Sequence, residues 1–166
     1  MESTNSISRR LVRLIYASEK SAECKLTSLQ EILAIARPHN RSVGISGFLC
    51  FGADRFLQCI EGPPAEVNTL YNKILKDPRH QRVQLLDYRD ISVREFARWD
   101  MGYAFSLDPR AEVLGEQFGA NQFLPHELTG IEAFELLRLL ADAAKPHAEV
   151  THPHRASFDE TPTNSA

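Results

Sequence analysis

The run Phe56-Leu57-Gln58-Cys59-Ile60-Glu61-Gly62 reads as a buried β-strand with an amide where a hydrocarbon is expected. Side chains alternate along a strand, so Phe56, Gln58 and Ile60 share one face and Leu57, Cys59 and Glu61 the other. A glutamine between two large apolar residues needs partners. Its amide carries two donor hydrogens and an acceptor oxygen, and leaving them unpaired in a core costs about 1–3 kcal/mol. Three readings follow: a structural glutamine satisfied by its neighbours, the solvent face of an edge strand, or a planar polar ligand that supplies the partners. The flanking chain decides among them.

Working outward, Ile45 to Phe51 and Arg55 to Ile60 flank Gly52-Ala53-Asp54 and predict a β-hairpin. After the second strand, Gly62-Pro63-Pro64 stops the pairing and places proline in the first turn of a helix, where its missing N–H is harmless. Val67, Leu70, Tyr71 and Ile74 form the apolar stripe of that helix, which ends at Asp77-Pro78. Upstream, Thr27-Ser28-Leu29-Gln30 matches a capping box, and Leu29, Ile32, Leu33 and Ala36 form a second stripe. Pro38 is expected to end this helix near Arg37, leaving His39 and Asn40 in a loop before Gly44. Leu11 to Ala17 is apolar on nearly both faces, with Val12, Leu14 and Tyr16 on one side, as in a central strand. Downstream, Val83 to Asp87 reads as a strand, Ser92-Val93-Arg94-Glu95 as a capping box for a short helical turn, and Asp100 to Leu107 as a last strand.

The order β-α-β-β-α-β, with one strand added, is a ferredoxin-like α+β unit. It predicts a five-stranded mixed sheet, with two helices on one face and the other face in need of a cover. The cover comes from the C-terminal part. Thr129-Gly130-Ile131-Glu132 is a third capping box, opening a helix through about Ala144. Its apolar residues Ile131, Phe134, Leu136, Leu137, Leu139 and Leu140 spread too widely for one stripe, as in a helix buried against more than one surface. Glu112 to Gly119 reads as a short helix. The expected organisation is a disordered N-terminus over residues 1–8, a domain over 9–107, a helical cap over 108–145 and a disordered tail over 146–166.

Composition narrows the function classes. Nineteen basic against twenty-two acidic side chains give a net charge of −3, which speaks against a nucleic-acid or anionic-membrane surface. No apolar run approaches the roughly 20 residues of a membrane span, and Met1 to Ser8 lacks a signal-peptide core. Three scattered cysteines, Cys24, Cys50 and Cys59, suggest a reduced cytoplasmic protein without a disulfide framework. His147, His152 and His154 have no carboxylate or cysteine at ligand spacing, so no metal site is expected. Phosphate-cradling glycine loops, a nucleophile elbow and zinc-protease spacing are all missing, and no enzyme is expected.

Taken together, Arg13-Leu14-Ile15-Tyr16-Ala17-Ser18, His39-Asn40, Gly44-Ile45-Ser46-Gly47, Phe56 to Gly62, Asp77-Pro78-Arg79-His80 and Trp99-Asp100-Met101 resemble the BLUF domain, a blue-light sensor that uses flavin. The resemblance covers about residues 9 to 107 in order. Ser46 stands where threonine is usual, and His39 where many members have asparagine.

The resemblance implies a stand-alone photoreceptor holding a flavin non-covalently, usually FAD, with FMN or riboflavin as alternatives. Tyr16, Gln58 and Asn40 would surround the polar edge of the ring, with His39 beside them, and Ile32 and Ile74 would sandwich it. Lys73, Asp77, Arg79 and His80 would meet the ribityl and phosphate groups. Light would drive electron and proton transfer from Tyr16 and rearrange the Gln58 hydrogen bonds. The change would be passed on by Trp99 and Met101, expected to share a face of the last strand. Residues 108–166 are too few for a cyclase or a cyclic-dinucleotide phosphodiesterase. Output is therefore expected through protein contacts, with a homodimer or higher homo-oligomer and an unidentified downstream signalling protein. A light-independent flavin redox protein and an apo ferredoxin-like interaction module are the competing readings.

Overall fold

The computed structural model describes residues 10–105 and 123–144. Five strands form one mixed sheet: β1 (Leu11–Lys20), β2 (Ser46–Gly52), β3 (Arg55–Gly62), β4 (His80–Ile91) and β5 (Gly102–Phe105), in the order β4-β1-β3-β2-β5. Neighbours are antiparallel except β2 and β5, which run parallel. Helix α1 (Leu26–Val43) joins β1 to β2, and α2 (Pro64–Lys76) joins β3 to β4. This is the expected ferredoxin-like βαββαβ unit with β5 added beside β2. The β2–β3 hairpin closes on Ala53 and Asp54 at φ 47° and 58°, the two positive values of the tight turn that matches strand twist.

β1 and β3 lie inside the sheet and are buried on both faces. On one face, Val12, Leu14, Tyr16, Ile45 and Ile60 pack with Val67 of α2. Beside them Leu49, Phe51, Phe56 and Met101 pack with Leu29 and Leu33 of α1. The opposite face presents Ile15, Ala17, Phe48, Cys50, Leu57 and Cys59 to helix α3 (Gly130–Ala144). There Ala133, Leu136, Leu137, Leu140 and Ala141 supply the cover. The capping box opening α3 is formed: the Glu132 N–H donates to Thr129 Oγ1 at 3.2 Å, and the Thr129 N–H to Glu132 Oε2 at 2.8 Å. Ile131 remains at the surface and Phe134 and Leu139 are half-buried, so the wide apolar spread resolves into a buried stripe, its flanks and one exposed residue. Leu137 is fully buried in this seam. Leu137→Ala is expected to cost about 2–5 kcal/mol, measured as a lower denaturation midpoint.

Three local expectations are corrected. Helix α1 continues through Pro38 to Val43 and starts at Leu26, with Lys25 as N-cap and no side-chain cap. A proline in a helix interior costs about 3 kcal/mol, but here two tertiary contacts to Asp100 and one local bond hold the turn beyond it. Asn40 donates to the Asp100 carbonyl at 2.9 Å, Arg41 pairs with the Asp100 carboxylate, and Ser42 Oγ donates to the His39 carbonyl at 2.6 Å. Gly44, at φ 74°, then ends the helix in the left-handed conformation glycine tolerates. His39 and Asn40 are therefore helical rather than in a loop. Residues 92–95 form bends, not a helix, because the Glu95 and Phe96 N–H groups go to the Glu61 carboxylate at 3.2 and 2.9 Å. The last strand begins at Gly102, not Asp100. Glu112 to Gly119, residues 1–8 and the tail from 146 lie outside the described residues.

Cys24, Cys50 and Cys59 are free and buried. Burial pushes the Cys50 thiol up to about 12, far from the thiolate that would make it reactive. Among the described residues, no helix is long and apolar enough to cross a membrane.

Candidate functional site

Between α1 and α2, on the helical face of the sheet, lies a cavity of about 230 Å³. Its floor is Tyr16 of β1, Leu49 of β2, and Phe56 and Gln58 of β3. Ile32 and Ala36 of α1 and Leu70 and Ile74 of α2 form the walls. Asn40 closes the end near the start of β2. Lys73, Asp77, Arg79 and His80 gather at the other end, where β4 begins opposite the last residue of β1.

Register brings the central pair together. Tyr16 and Gln58 lie directly opposite each other in the antiparallel β1–β3 ladder, and both point to the helical face. The Tyr16 hydroxyl donates to Gln58 Oε1, and Gln58 Nε2 donates to Met101 Sδ at 3.0 Å. Tyr16 is 1 % exposed and Gln58 8 %. Burial pushes the Tyr16 phenol far above its ordinary value, with the Tyr71 and Asp77 side chains adding to the rise, so its proton stays on. Gln58 is therefore no solvent-facing edge residue. Its amide is satisfied, yet one of its two bonds is to a thioether, a weak acceptor.

The segment leading into β5 is held by three bonds, one from β2 and two from α1. The Gly47 N–H donates to the Trp99 carbonyl at 2.9 Å, Asn40 to the Asp100 carbonyl at 2.9 Å, and Arg37 Nε to the Met101 carbonyl at 3.0 Å. Sequence reasoning did not single out Arg37. Arg37, Asn40 and Arg41 fall at i, i+3 and i+4, a shared helix face that is visible only once α1 is carried past Pro38. Gly102 leaves the room needed beside this segment, since a β-carbon there would sit 2.5 Å from the Phe48 ring and 2.7 Å from the Trp99 ring.

At the other end, the Arg79 guanidinium grips Asp77 through both carboxylate oxygens and holds its carboxyl below the usual range. His80 Nδ1 lies 2.8 Å from Ser18 Oγ, with its ring centroid 4.7 Å from Phe56 and 6.2 Å from Tyr16. Burial is the main cause that lowers its pKa; Asp77 acts in the opposite direction and Arg79 in the same one. A histidine with a folded pKa below its unfolded one binds fewer protons when folded. Its contribution to stability is therefore present above the unfolded value of about 6.5 and lost as pH falls through the window beneath it. The denaturation midpoint of the parent is expected to drop between neutral and mildly acidic pH, and His80→Gln to flatten that drop. An unchanged pH profile in the variant would show that another group titrates.

The cavity thus gathers Tyr16, Ile32, Asn40, Gln58, Lys73, Ile74, Asp77, Arg79, His80 and Met101. His39 is exposed and does not line it, because one residue along a helix turns the side chain by about 100° away from the direction of Asn40. Trp99 and Met101 do not share a face. Met101 packs on the cavity side, whereas Trp99 packs on the α3 side with its ring edge-on to Phe48 at 5.5 Å. Residues 96–101 form a turn and bends ahead of β5, so strand alternation does not apply to them.

Comparison with known proteins agrees with this arrangement. Residues 11–102 match the family model described as BLUF, sensors of blue-light using FAD. Photoactivated adenylate cyclase subunit beta of Euglena gracilis is 37% identical over 93 residues, 55% of this chain and only 11% of the cyclase subunit's length. The blue light- and temperature-regulated antirepressor BluF of Escherichia coli (strain K12) is 31% identical over 118 residues, 68% of this chain and 29% of that protein. Among solved structures, BlsA in its photo-activated state superposes with a TM-score of 0.69 at 35% identity, covering 79% of this chain and 96% of BlsA. The dark-state structure of BlrB gives a TM-score of 0.66 at 29% identity over 82% of this chain and 97% of BlrB. With that match spanning β1 to the start of β5, the chain belongs to the BLUF family of blue-light sensors that bind flavin.

Proposed function

We propose that light acts on this chain through the Tyr16–Gln58 pair, with FAD, rather than FMN or riboflavin, held in the cavity between α1 and α2. The observation that carries this reading is the buried phenol bonded to an amide at the floor of an apolar slot. The residues fit such a ligand. Ile32 and Ile74 suit the two faces of a flat ring, while the amides of Gln58 and Asn40 suit its carbonyl and imide edge. Lys73 and Arg79 at the far end suit a phosphate, which riboflavin lacks. The family's description names FAD.

A bound flavin supplies the absorption of blue light and, once excited, a strong oxidant. Tyr16 is the residue that gives up an electron, and its hydroxyl proton has a direct route to Gln58 Oε1, the atom it already faces. When electron and proton have returned to Tyr16, Gln58 is left with its amide reoriented or tautomerised. An amide rotated by half a turn offers its NH₂ toward Tyr16 and its oxygen toward Met101. The thioether has no hydrogen to donate, so the Gln58–Met101 bond is lost. Met101 is released while Arg37 and Asn40 still hold the backbone beside it, and the change is felt by Trp99 on the α3 side. Output is by protein contact, in a homodimer or higher homo-oligomer facing a cytoplasmic partner, as a sensor rather than an enzyme. Three free cysteines with no disulfide between them fit a reducing compartment.

The test is an absorption spectrum of the purified chain in darkness and after blue illumination, followed by heat release and identification of the chromophore. The expected result is a flavin spectrum that moves slightly to the red and recovers in darkness, with FAD released. A colourless protein, or a flavin spectrum insensitive to light, would contradict it.

A further inference from the structure

Glu61 lies on the α3 side of β3 and is 0 % exposed. A carboxylate buried so deeply is tolerated only with full pairing. Arg13, its cross-strand neighbour, places Nε and Nη2 each 2.8 Å from Oε1. The remaining capacity goes to the Phe96 N–H on Oε2 at 2.9 Å and the Glu95 N–H on Oε1 at 3.2 Å. One carboxylate therefore fixes the start of the segment that carries Trp99 and Met101.

The same arginine reaches the cap. The guanidinium carbon of Arg13 sits 3.9 Å from the ring centroid of Phe134 in α3. The Phe134 ring stands edge-on to Phe96 at 6.2 Å, Phe96 stacks with Phe48 at 6.0 Å, and Phe48 meets Trp99 at 5.5 Å. The contacts close on themselves. Glu61 holds the Phe96 backbone, Phe96 touches Phe134, Phe134 carries Arg13, and Arg13 pairs with Glu61. Leu136, Leu137 and Leu140 of α3 pack on the sheet itself, but Phe134 faces both the segment and the ion pair.

We propose that this closed loop is the joint through which residues 95–101 move the cap helix, with Arg13 and Glu61 as positioning residues and Phe134 as the receiving side chain. The proposal rests on the light-switch reading above. Because Glu61 anchors positions 95 and 96 while Asn40 and Arg37 hold the carbonyls of 100 and 101, a displacement of the Met101 side chain is taken up by the residues between the two holds. Trp99 and Phe96 then shift against Phe48 and Phe134, and α3 follows through the ring that carries Arg13.

The experiment uses the full flavin-loaded chain and records backbone hydrogen exchange of residues 130–144 in darkness and under blue light. The flavin spectrum is taken on the same sample. In the parent, exchange in α3 is expected to change severalfold on illumination. Phe134→Leu removes the ring face and should keep the red shift while abolishing most of that change; Phe134→Tyr, which keeps the face, should restore it. Arg13→Lys keeps the charge on Glu61 but offers no flat guanidinium to stack, and should behave like Phe134→Leu. It also serves as the independent variant if the leucine form folds poorly. A parent that red-shifts without any change in α3 overturns the joint and leaves the photochemistry standing. So does a leucine or lysine variant that keeps the full light response of α3. A parent without a red shift removes the switch reading, and the joint with it.

Discussion

Tyr16→Phe is expected to purify with flavin bound and to show no light-induced red shift at all. The ring volume is kept, so the packing against Tyr71 and His80, with centroids at 5.7 and 6.2 Å, survives. What disappears is the hydroxyl, the only donor to Gln58 Oε1 among the described residues. The stability cost is bounded by one unsatisfied buried acceptor, about 1–3 kcal/mol. The photochemical cost is complete, because phenylalanine has no proton to give and is a much poorer electron donor. A light-minus-dark absorption spectrum checks this. A red-shifted state of normal amplitude in the variant would remove Tyr16 from the mechanism.

Gln58→Leu is expected to have an equally large effect by a different route. Leucine is close in volume but neither donates nor accepts. The variant loses both the Tyr16 and the Met101 bonds and strands the buried Tyr16 hydroxyl. That stranding costs about 1–3 kcal/mol, readable as a lower denaturation midpoint with flavin still bound. With no amide to reorient, illumination should leave no persistent red-shifted state. If the leucine form cycles like the parent, Gln58 is a structural glutamine and nothing more.

These two side chains also show how far the sequence carries. Period-2 alternation was enough to put Gln58 on the same face as Phe56 and Ile60, and Tyr16 with Val12 and Leu14, because strand geometry is local. The stripes Leu29-Ile32-Leu33-Ala36 and Val67-Leu70-Tyr71-Ile74 likewise placed both cavity walls. The Thr129–Glu132 capping box marked the cap helix to within a residue. What alternation lacks is register. That Tyr16 stands opposite Gln58, and Arg13 opposite Glu61, depends on pairing between segments more than forty residues apart.

The misreadings share a cause. Pro38 and the Ser92–Glu95 pattern are local signals, and in both places a tertiary bond outweighed them. Asn40 and Arg41 on Asp100 hold the turn after the proline, and Glu61 takes the N–H groups that a helix cap would have served. Trp99 and Met101 followed the same rule. Period 2 does not hold in a segment whose carbonyls are held by α1 and β2 in bends, and the two side chains part to opposite faces. That parting links the two sides of the sheet, since one short segment touches both the cavity amide and the α3 core.

The account's central claim is that a single amide changes its hydrogen-bond partners and stays changed. It is tested most directly by the side-chain NH₂ resonances of Gln58, followed by ¹⁵N NMR through one cycle of blue light and darkness. Both resonances are predicted to move on illumination, as Nε2 exchanges Met101 Sδ for Tyr16, and to return at the rate at which the flavin absorption recovers. Resonances that stay at their dark positions while the absorption shifts to the red would contradict it.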